Sequence, residues 1–287
     1  MAALVCFCAC DKDNLGVYNP KLKIQQIYEE SEGHYLKEKW LWNGDQLAKI
    51  NFYRKNGDIQ YSHVYSYDNK RLARIDADGE HSEFLYDKNK LSTINTYLGD
   101  KLTEIYTFSY EGNKLSNIHI EKPAKGAEAT NFDFLNLVVP NYDPVVRTSM
   151  FNADSKGENY LFSSASIDFI WNGDNIMYMK MTINRPDSVQ KITYTYMYDD
   201  NVNPQYHFMP LLLDHELLND NPETLFASKN NATSIHVTYG AGAFSRTVSY
   251  TYAYDYYQKY PTKMYKTSIN AISLEETRTL LYSYRYQ

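Results

Sequence analysis

The residues whose chemistry stands out first are three cysteines, Cys6, Cys8 and Cys10, and the rest of the 287-residue chain has none. Cysteine thiols form disulfides, bind metal ions or carry a covalent lipid. A disulfide framework is excluded for the folded body, because that body contains no cysteine. A metal clip would need a fourth ligand, and metal sites usually add spaced Cys or His residues from a second segment. A frayed apolar terminus with incidental cysteines is a further interpretation.

Cys10 has the sequence context of a lipid attachment site. The residues before it are apolar or small, Ala9 directly precedes it, and polarity begins abruptly at Asp11. This pattern is typical of the end of a bacterial lipoprotein signal peptide, although a basic start is missing and the apolar run is short. Each buried CH₂ of an acyl chain contributes about 0.8 kcal/mol, so two or more chains hold a protein stably on a membrane. We therefore expect residues 1–9 to be a signal-peptide remnant and Cys10 to be a lipid anchor.

Candidate metal and catalytic residues are sparse. Asp214, His215 and Glu216, with His207 upstream, form the one compact metal-like cluster. Adjacent residues on a helix point in different directions, so these side chains do not converge on one ion. The sequence has neither a Gly-x-Ser-x-Gly elbow nor a phosphate-binding glycine loop, and we predict no catalytic residue, no metal site and no cofactor. A pair of acids for glycoside hydrolysis stays open, because such partners can be distant in sequence.

Tyrosine is unusually frequent, at 29 of 287 positions. Tyr194 and Tyr196 are spaced by two, as are Tyr250 and Tyr252, and each pair shares a face if its segment is a strand. An open face of stacked rings with hydroxyl tips suits a sugar, peptide or lipid, so these four residues are the candidate ligand-binding side chains. The competing interpretation places them in the core, because half-buried sheets need bulky alternating residues.

The elements that must position these residues are predicted by a repeated phrase. Each copy has an aromatic residue, a polar turn and then Leu or Ile, and the first four copies add an Ile three residues later. The aromatic residues of the copies are Trp42, Tyr67, Tyr86, Tyr110 and Trp171, with worn copies at Tyr198 and Tyr254. Spacings of 25, 19 and 24 residues separate the first four, as expected of a repeating supersecondary unit. Alternation before each aromatic and turn residues after it predict a β-hairpin.

Successive hairpins predict an all-β fold, a long and strongly twisted antiparallel meander within residues 33–287. Open twisted sheets rarely exceed about 10 strands without curling, so we expect this sheet to roll into an open or incomplete barrel. Pro and Gly in residues 123–160 predict a crossover. Residues 201–231 predict a plug with a short capping helix at 210–219, where a proline suits the first helical turn. No linker divides the chain, and we expect one domain that follows a tether at 10–32.

Several local features, in a fixed order, carry a resemblance to known repeat proteins. Asn203-Pro204 precedes an apolar run, residues 229–233 precede a strand, and residues 260–264 (Tyr-Pro-Thr-Lys-Met) lie near the end. The repeated phrases resemble the tyrosine–aspartate repeats of large bacterial β-shell proteins. Over most of its length beyond residue 35, the chain is more similar to a Bacteroidetes lipoprotein family of unknown function with a porin-like fold. That resemblance implies a curved β-meander, a cell-envelope location at the outer membrane or cell surface, and no known catalytic residues.

The charge of the chain and the polarity of its predicted strand faces argue against two classes of function. The net charge is −6, with Lys and Arg spread along the chain, and the lack of a basic stripe argues against nucleic-acid partners. A membrane-spanning barrel needs an apolar outer face over strands of about 9–11 residues, whereas Thr, Ser, Lys and Glu interrupt the alternate faces. We expect a non-enzymatic, lipid-anchored envelope protein whose β surface binds a glycan, a peptide or an envelope protein. A structural scaffold and a glycan hydrolase with carboxylates at the rim are the alternatives.

Overall fold

Sixteen β-strands make up the secondary structure that the computed structural model describes, which covers residues 16–121, 164–184, 189–208, 228–241, 244–269 and 276–287. The strands are β1 Ile24–Glu29, β2 Tyr35–Asn43, β3 Gln46–Tyr53, β4 Ile59–Asp68, β5 Arg71–Ala77, β6 Glu80–Asp87, β7 Lys90–Leu98, β8 Lys101–Glu111, β9 Lys114–Glu121, β10 Ser164–Asn172, β11 Asn175–Asn184, β12 Val189–Val202, β13 Asn230–Ala241, β14 Phe244–Tyr257, β15 Tyr260–Ile269 and β16 Glu276–Tyr286. The predicted all-β antiparallel meander is confirmed. The predicted crossover at 123–160 and the capping helix at 210–219 lie outside the described residues.

The sheet is a closed barrel, so the predicted open or incomplete barrel is wrong. Every strand pairs antiparallel with the next strand of the chain, and β1 pairs both with β2 and with β16. The register places Ile27 opposite Tyr284 on β16 and opposite Glu38 on β2. The physical reason for the difference is that residues 24–29, assigned above to the tether, form a strand. That strand pairs with the free edges of both β2 and β16, so neither edge is left without hydrogen-bond partners. Of the predicted plug at 201–231, the described parts at 201–208 and 228–231 form strand ends and turns.

Alternate residues of each strand face opposite sides of the barrel wall. On β8, Tyr106 and Phe108 are buried and face inward, whereas Thr107 and Ser109 are exposed. The same alternation brings the buried apolar residues of the strands into one contiguous core cluster inside the wall. Exposed polar residues on the outer face include Ser66, Thr107, Ser109, Asp168, Lys191, Thr195, His236, Ser249, Thr251, Asp255, Lys263 and Arg285. The barrel is therefore mainly apolar inside, with some buried polar side chains, and its outer face mixes many polar side chains with scattered exposed apolar ones.

A ring of eight aromatic side chains, which we name the girdle, explains the recurring aromatic of the sequence. The girdle consists of Trp42, Tyr67, Tyr86, Tyr110, Trp171, Tyr198, Tyr254 and Tyr286. Each residue donates a hydrogen bond of 2.6–2.9 Å from its indole N–H or phenol O–H to a backbone carbonyl of the preceding hairpin. The accepting carbonyls belong, in the same order, to Ile24, Leu47, Leu72, Leu91, Leu115, Ile176, Ala232 and Pro261. The girdle thus joins neighbouring hairpins around one end of the barrel, the girdle end.

The Leu and Ile of the phrase are three residues apart because a β-bulge lies between them. In the β4–β5 pair, Ser66 is opposite Arg74 but Tyr67 is opposite Leu72, so Ala73 is an extra residue. Leu72 and Ile75 consequently both face inward and are buried, although an unbroken strand would place them on opposite faces. The same shift occurs immediately before the girdle aromatic at five further hairpins, those that contain Trp42, Tyr86, Tyr110, Trp171 and Tyr198.

The Lys or Arg of the phrase covers the aromatic ring of the next hairpin. Arg71 stands over the ring of Tyr86 at 5.5 Å and donates to the turn carbonyl of Lys88 at 2.7 Å. Equivalent cation–π contacts of 5.0–5.6 Å pair Lys23 with Trp42, Lys90 with Tyr110 and Lys114 with Trp171. Such contacts contribute about 0.5–1 kcal/mol at exposed sites. Each part of the repeated phrase therefore has a partner on a neighbouring hairpin.

Two non-strand segments meet inside the girdle end. Residues 16–23, which we name the strap, place Tyr18 against the rings of Trp42 and Phe208, with centroids 5.7 and 5.5 Å apart. The Tyr18 hydroxyl donates to the carbonyl of Pro204 at 2.7 Å. A gap of about 10 Å³ remains beside Tyr18 and Phe208, the size of roughly one water. The strap and residues 203–208 therefore pack closely into this mouth of the barrel.

Candidate functional site

The four tyrosines singled out by the sequence face the interior of the barrel and are buried. Tyr194 and Tyr196 on β12 are 0% and 4% exposed, and Tyr250 and Tyr252 on β14 are 5% and 3% exposed. The rings of Tyr194 and Tyr196 lie 6.4 Å apart and nearly parallel, at 17°. The structure thus brings the predicted residues onto one wall, on strands separated by β13, but turns them toward the core.

A complete second layer of aromatic side chains lies directly behind the girdle. The eight residues that precede the girdle aromatics by two positions are all aromatic and all buried. They are Trp40, Tyr65, Phe84, Phe108, Phe169, Tyr196, Tyr252 and Tyr284. Two of the predicted ligand-binding tyrosines are members of this layer, which accounts for their burial. The recurrence of aromatics at this second column of the repeat was a signal for core packing.

Three glutamates inside the wall escaped the sequence analysis. Glu29, Glu38 and Glu104 are 4%, 3% and 0% exposed. Glu38 accepts a hydrogen bond from the Trp40 indole at 2.8 Å, and Glu104 accepts one from the Tyr106 hydroxyl. Burial, reinforced by the negative charge of Glu104, raises the pKa of Tyr106 well above its ordinary value. Glu38 and Glu104 each lie an even number of residues before a girdle aromatic on the same strand, which predicts that their side chains also point inward. Because both carboxylates accept hydrogen bonds from aromatic side chains of the core, we assign them a structural role.

A surface groove at the girdle end is a candidate site. It lies where β12 runs past its girdle residue Tyr198 and pairing with β13 becomes irregular, between Tyr198–Ala232 and Val202–Asn230. The groove encloses about 300 Å³. Its lining, which defines the Met–Asp groove, consists of Asn172, Asn175, Met177, Tyr196, Met197, Tyr198, Asp199, Asp200 and Asn230.

Asparagines hold the polar side of the Met–Asp groove in a fixed arrangement. The side chains of Asn175 and Asn230 bond at 2.9 Å, and the Asn230 amide donates to the carbonyl of Asn201 at 2.7 Å. The backbone N–H of Asn201 in turn donates to Asp199 at 2.9 Å. Because these amides restrain one another, the polar wall is organised before any ligand arrives.

Two carboxylates of the groove differ in their surroundings. Asp199 accepts a hydrogen bond from the Tyr256 hydroxyl, and burial together with this carboxylate raises the pKa of Tyr256. Asp200 is exposed. Asp199 is therefore tied to the barrel wall, whereas Asp200 presents its charge to water at the edge of the groove.

The apolar side of the groove is exposed to solvent. Met177 and Met197 are 44% and 60% exposed, and Ile170 on the neighbouring strand is 51% exposed. Amphipathic surfaces of this kind contact an apolar ligand face and hydrogen-bond its edge. Met177 occupies the bulge position at which other copies have Ala48, Ala73, Ser92 and Ser116. Comparing the repeats column by column would have found this departure.

The remaining sequence candidates are placed as follows. Cys10 and the Asp214-His215-Glu216 cluster lie outside the described residues. His207, in the turn after β12, has a positive φ of 69° and its ring lies 3.8 Å from that of Tyr206. Across the described ranges, which leave out residues 122–163 and 209–227 among others, no three His, Cys, Asp or Glu side chains form a group able to hold a metal ion. No helix long and apolar enough to cross a membrane occurs in that same part of the chain.

Comparison with known proteins gives the fold but no family. No family model and no curated protein matches the chain. A porin-like protein from Bacteroides vulgatus is 10% identical, with a TM-score of 0.53 over 93% of this chain and 99% of its own. A porin-like protein from Bacteroides uniformis is 14% identical, with a TM-score of 0.50 over 95% of this chain and 100% of its own. The porin-like fold expected from the resemblance is confirmed, and at these identities the likeness establishes the fold alone.

Proposed function

We propose that the protein is a lipid-anchored, non-enzymatic protein of the cell envelope that binds a ligand or partner in the Met–Asp groove. The polarity of the two barrel faces is the observation that carries this proposal. The outer face carries charged and hydroxyl side chains, including Asp168, Lys191 and Lys263, whereas the inner face is mainly an apolar core. Water rather than lipid suits such an exterior, so attachment to a membrane falls to the acyl chains on Cys10.

A porin-like fold does not by itself imply that the protein forms a membrane channel. Membrane-spanning barrels carry an outward apolar band about 25 Å tall and a polar interior. Here charged and hydroxyl side chains interrupt the outer face. On the inner face, Glu29, Glu38 and Glu104 are buried, but the second aromatic layer lies where a pore would be lined by polar side chains. We expect purified protein added to planar lipid bilayers to produce no stepwise conductance. Reproducible channel openings would contradict the proposal.

The lipid anchor is tested on protein isolated from membranes of the native host. Intact-mass and peptide mass spectrometry should show an amino terminus at Cys10 carrying diacylglycerol, because the preceding segment has the character of a signal peptide. Cys10→Ser should release the protein from the membrane fraction. An unprocessed terminus at Met1 would refute the anchor.

The Met–Asp groove is tested by ligand screening with a matched pair of variants. A glycan and peptide array identifies binders of the purified barrel. Met197→Glu places a charge on the apolar side of the groove, and Val64→Glu makes the same kind of change at an outward position, 44% exposed, away from the groove. Each binder should be lost with the first variant and retained with the second. Binding that survives Met197→Glu would remove the groove from the proposal.

A structural scaffold is the second candidate, and the burial of Tyr194, Tyr196, Tyr250 and Tyr252 favours it. In that role the aromatic layers stiffen the barrel and no small ligand is needed. An array without any signal, together with cross-linking of the native protein to another envelope component, would favour the scaffold over the ligand-binding module.

A further inference from the structure

We propose that the girdle end of the barrel faces the lipid surface and that the opposite end points away from it. This orientation rests on the proposed anchor at Cys10, and it follows from how the strap is fixed. The chain does not enter the barrel at β1. It is first held across the girdle mouth by the strap, so the free tether ends at Gly16 rather than at Ile24.

Gly16 is fixed to the barrel wall by close backbone contact. Its carbonyl accepts a hydrogen bond of 2.9 Å from the backbone N–H of Leu72, at the start of β5. Its φ is +88°, and a Cβ atom built there would lie only 2.0 Å from the Tyr86 hydroxyl oxygen. Only glycine tolerates both conditions. The start of the strap is thereby seated on a girdle residue.

Tyr18 provides the second fixed point of the strap. Its ring is 7% exposed and packs on Trp42 and Phe208, and its hydroxyl donates to Pro204. Burial raises the pKa of this hydroxyl well above its usual value, so the donor remains protonated in neutral solution. Removing the strap from the mouth of the barrel would expose these aromatic surfaces to water. The free-energy cost of that exposure keeps the strap in place.

Chain geometry then limits how far the girdle end can be from the lipid. Five residues, 11–15, separate Cys10 from Gly16. Six backbone steps of at most about 3.6 Å span no more than roughly 22 Å. A tether that ran freely to Lys23 would have thirteen steps and reach about 47 Å. A seven-residue strand such as β5 is about 23 Å long, and a strand tilt of about 40° makes the wall there roughly 18 Å high. A tether that starts at the girdle end is nearly used up in covering that height, so the girdle end is the end that the short tether holds close to the membrane.

Exposed apolar side chains occur on the outer face at both ends of the barrel. At the girdle end, Leu41, Leu85 and Ile170 directly precede a girdle aromatic and are 37%, 48% and 51% exposed. At the opposite end, Ile59, Leu98 and Val189 are 51%, 41% and 55% exposed. These side chains favour neither end, so the orientation rests on the tether, and the lipid surface is the occupant that the acyl chains on Cys10 imply.

A pair of labels at the two ends of one strand tests the orientation. Lys70 and Asp78 are exposed residues that flank β5 at the girdle end and the opposite end. Lys70→Cys and Asp78→Cys each give the lipidated protein a single free thiol for a donor fluorophore, since the cysteines before Cys10 are removed with the signal segment. On vesicles with acceptor dye on their headgroups, energy transfer from position 70 should exceed that from position 78 by at least about twofold, because about 26 Å of strand separates the labels. Equal transfer, or stronger transfer from position 78, would overturn the orientation.

A lengthened tether tests whether the strap sets the orientation. Inserting ten Gly and Ser residues between Asp13 and Asn14 leaves the strap and barrel unchanged, and the contrast between the two labels should fall toward unity. A contrast that survives this insertion would overturn the role of the short tether. Vesicle flotation and the mass of the acylated terminus are measured on every sample. A protein without acyl chains overturns the anchor and the orientation together, whereas an acylated protein with equal label signals overturns the orientation alone.

Discussion

At the scale of single residues, one side-chain-to-backbone hydrogen bond recurs around the girdle end. The girdle hydroxyls and indole N–H groups all donate to backbone carbonyls of the preceding hairpin. A net intramolecular hydrogen bond contributes about 1 kcal/mol. Eight such bonds, four of them from rings with a cation over the face, therefore add to the stability of a barrel that has no disulfide among its strands.

Tyr110→Phe should lower the free energy of unfolding by about 1 kcal/mol, because it removes the 2.8 Å bond to the carbonyl of Leu91 while the ring keeps its place. Tyr257→Phe is the matched control, since that hydroxyl lies on a side chain that is 60% exposed. Urea titration followed by circular dichroism gives both values. Equal effects from the two substitutions would remove the girdle bond as a source of stability.

Alkaline pH should unfold the barrel cooperatively. Burial raises the pKa of Tyr67, Tyr86 and Tyr110 above the ordinary tyrosine value. When folding raises the pKa of a tyrosine, the protonated form is favoured in the folded state. The resulting stabilisation is complete below the pKa of the unfolded chain, about 10, and is lost as the pH rises above that value. The urea midpoint should hold from about pH 7 to 9 and then fall. Tyrosinate absorbance should appear together with loss of β signal, and independent titration of most tyrosines in an intact barrel would contradict the prediction.

At the scale of elements, the sequence predicts hairpins well because turn chemistry and alternation are local. Gly57, Gly79 and Gly99 have positive φ in their turns, and the pairs Asn56-Gly57, Asp78-Gly79 and Gly99-Asp100 are typical of such turns. The bulges were not predicted, because Leu and Ile at a spacing of three are each acceptable strand residues when considered singly. Two large apolar residues three apart inside a strand conflict with a period of two, and that conflict was the available signal.

Deleting Ala73 should leave a native barrel in which this bulge is absent. Without the extra residue, Leu72 and Ile75 are two positions apart, so both still face inward and the pairs Tyr67–Leu72, Ser66–Arg74 and Tyr65–Ile75 form a regular ladder. Ala73→Ser keeps the bulge and is the control, expected within about 0.5 kcal/mol of the original protein. Hydrogen exchange of β4 to β6 measures the pairing in both variants. Loss of protection in the deletion variant alone would show that the bulge itself is needed for the native register.

At the scale of the whole molecule, closure was the feature that local reasoning could not provide. Residues 24–29 are short and lie next to a polar segment, so the sequence favoured a tether there. Their pairing with β16 joins positions more than 250 residues apart, as in Ile27 with Tyr284. The candidate groove was missed for a related reason, because Met177 and Met197 meet only once β11 and β12 are side by side.

Removing β1 should convert the barrel into an associating sheet. A chain beginning after Glu29 has two unpaired strand edges, on β2 and β16, and such edges pair with other chains. A chain beginning after Lys23 loses the strap but keeps β1, and it should remain a monomer of lower stability. Light scattering after gel filtration measures the mass of each. A monomeric chain without β1 would show that the barrel does not depend on this closing strand.

The meeting of the two chain ends has a further consequence. The backbone N–H of Gln287 donates to the carbonyl of Lys23 at 3.0 Å, beside the strand pair that completes the wall. Every strand already neighbours its successor around the whole circumference. Joining Gln287 to Lys23 and opening the chain at another turn would therefore preserve the order of the strands around the barrel.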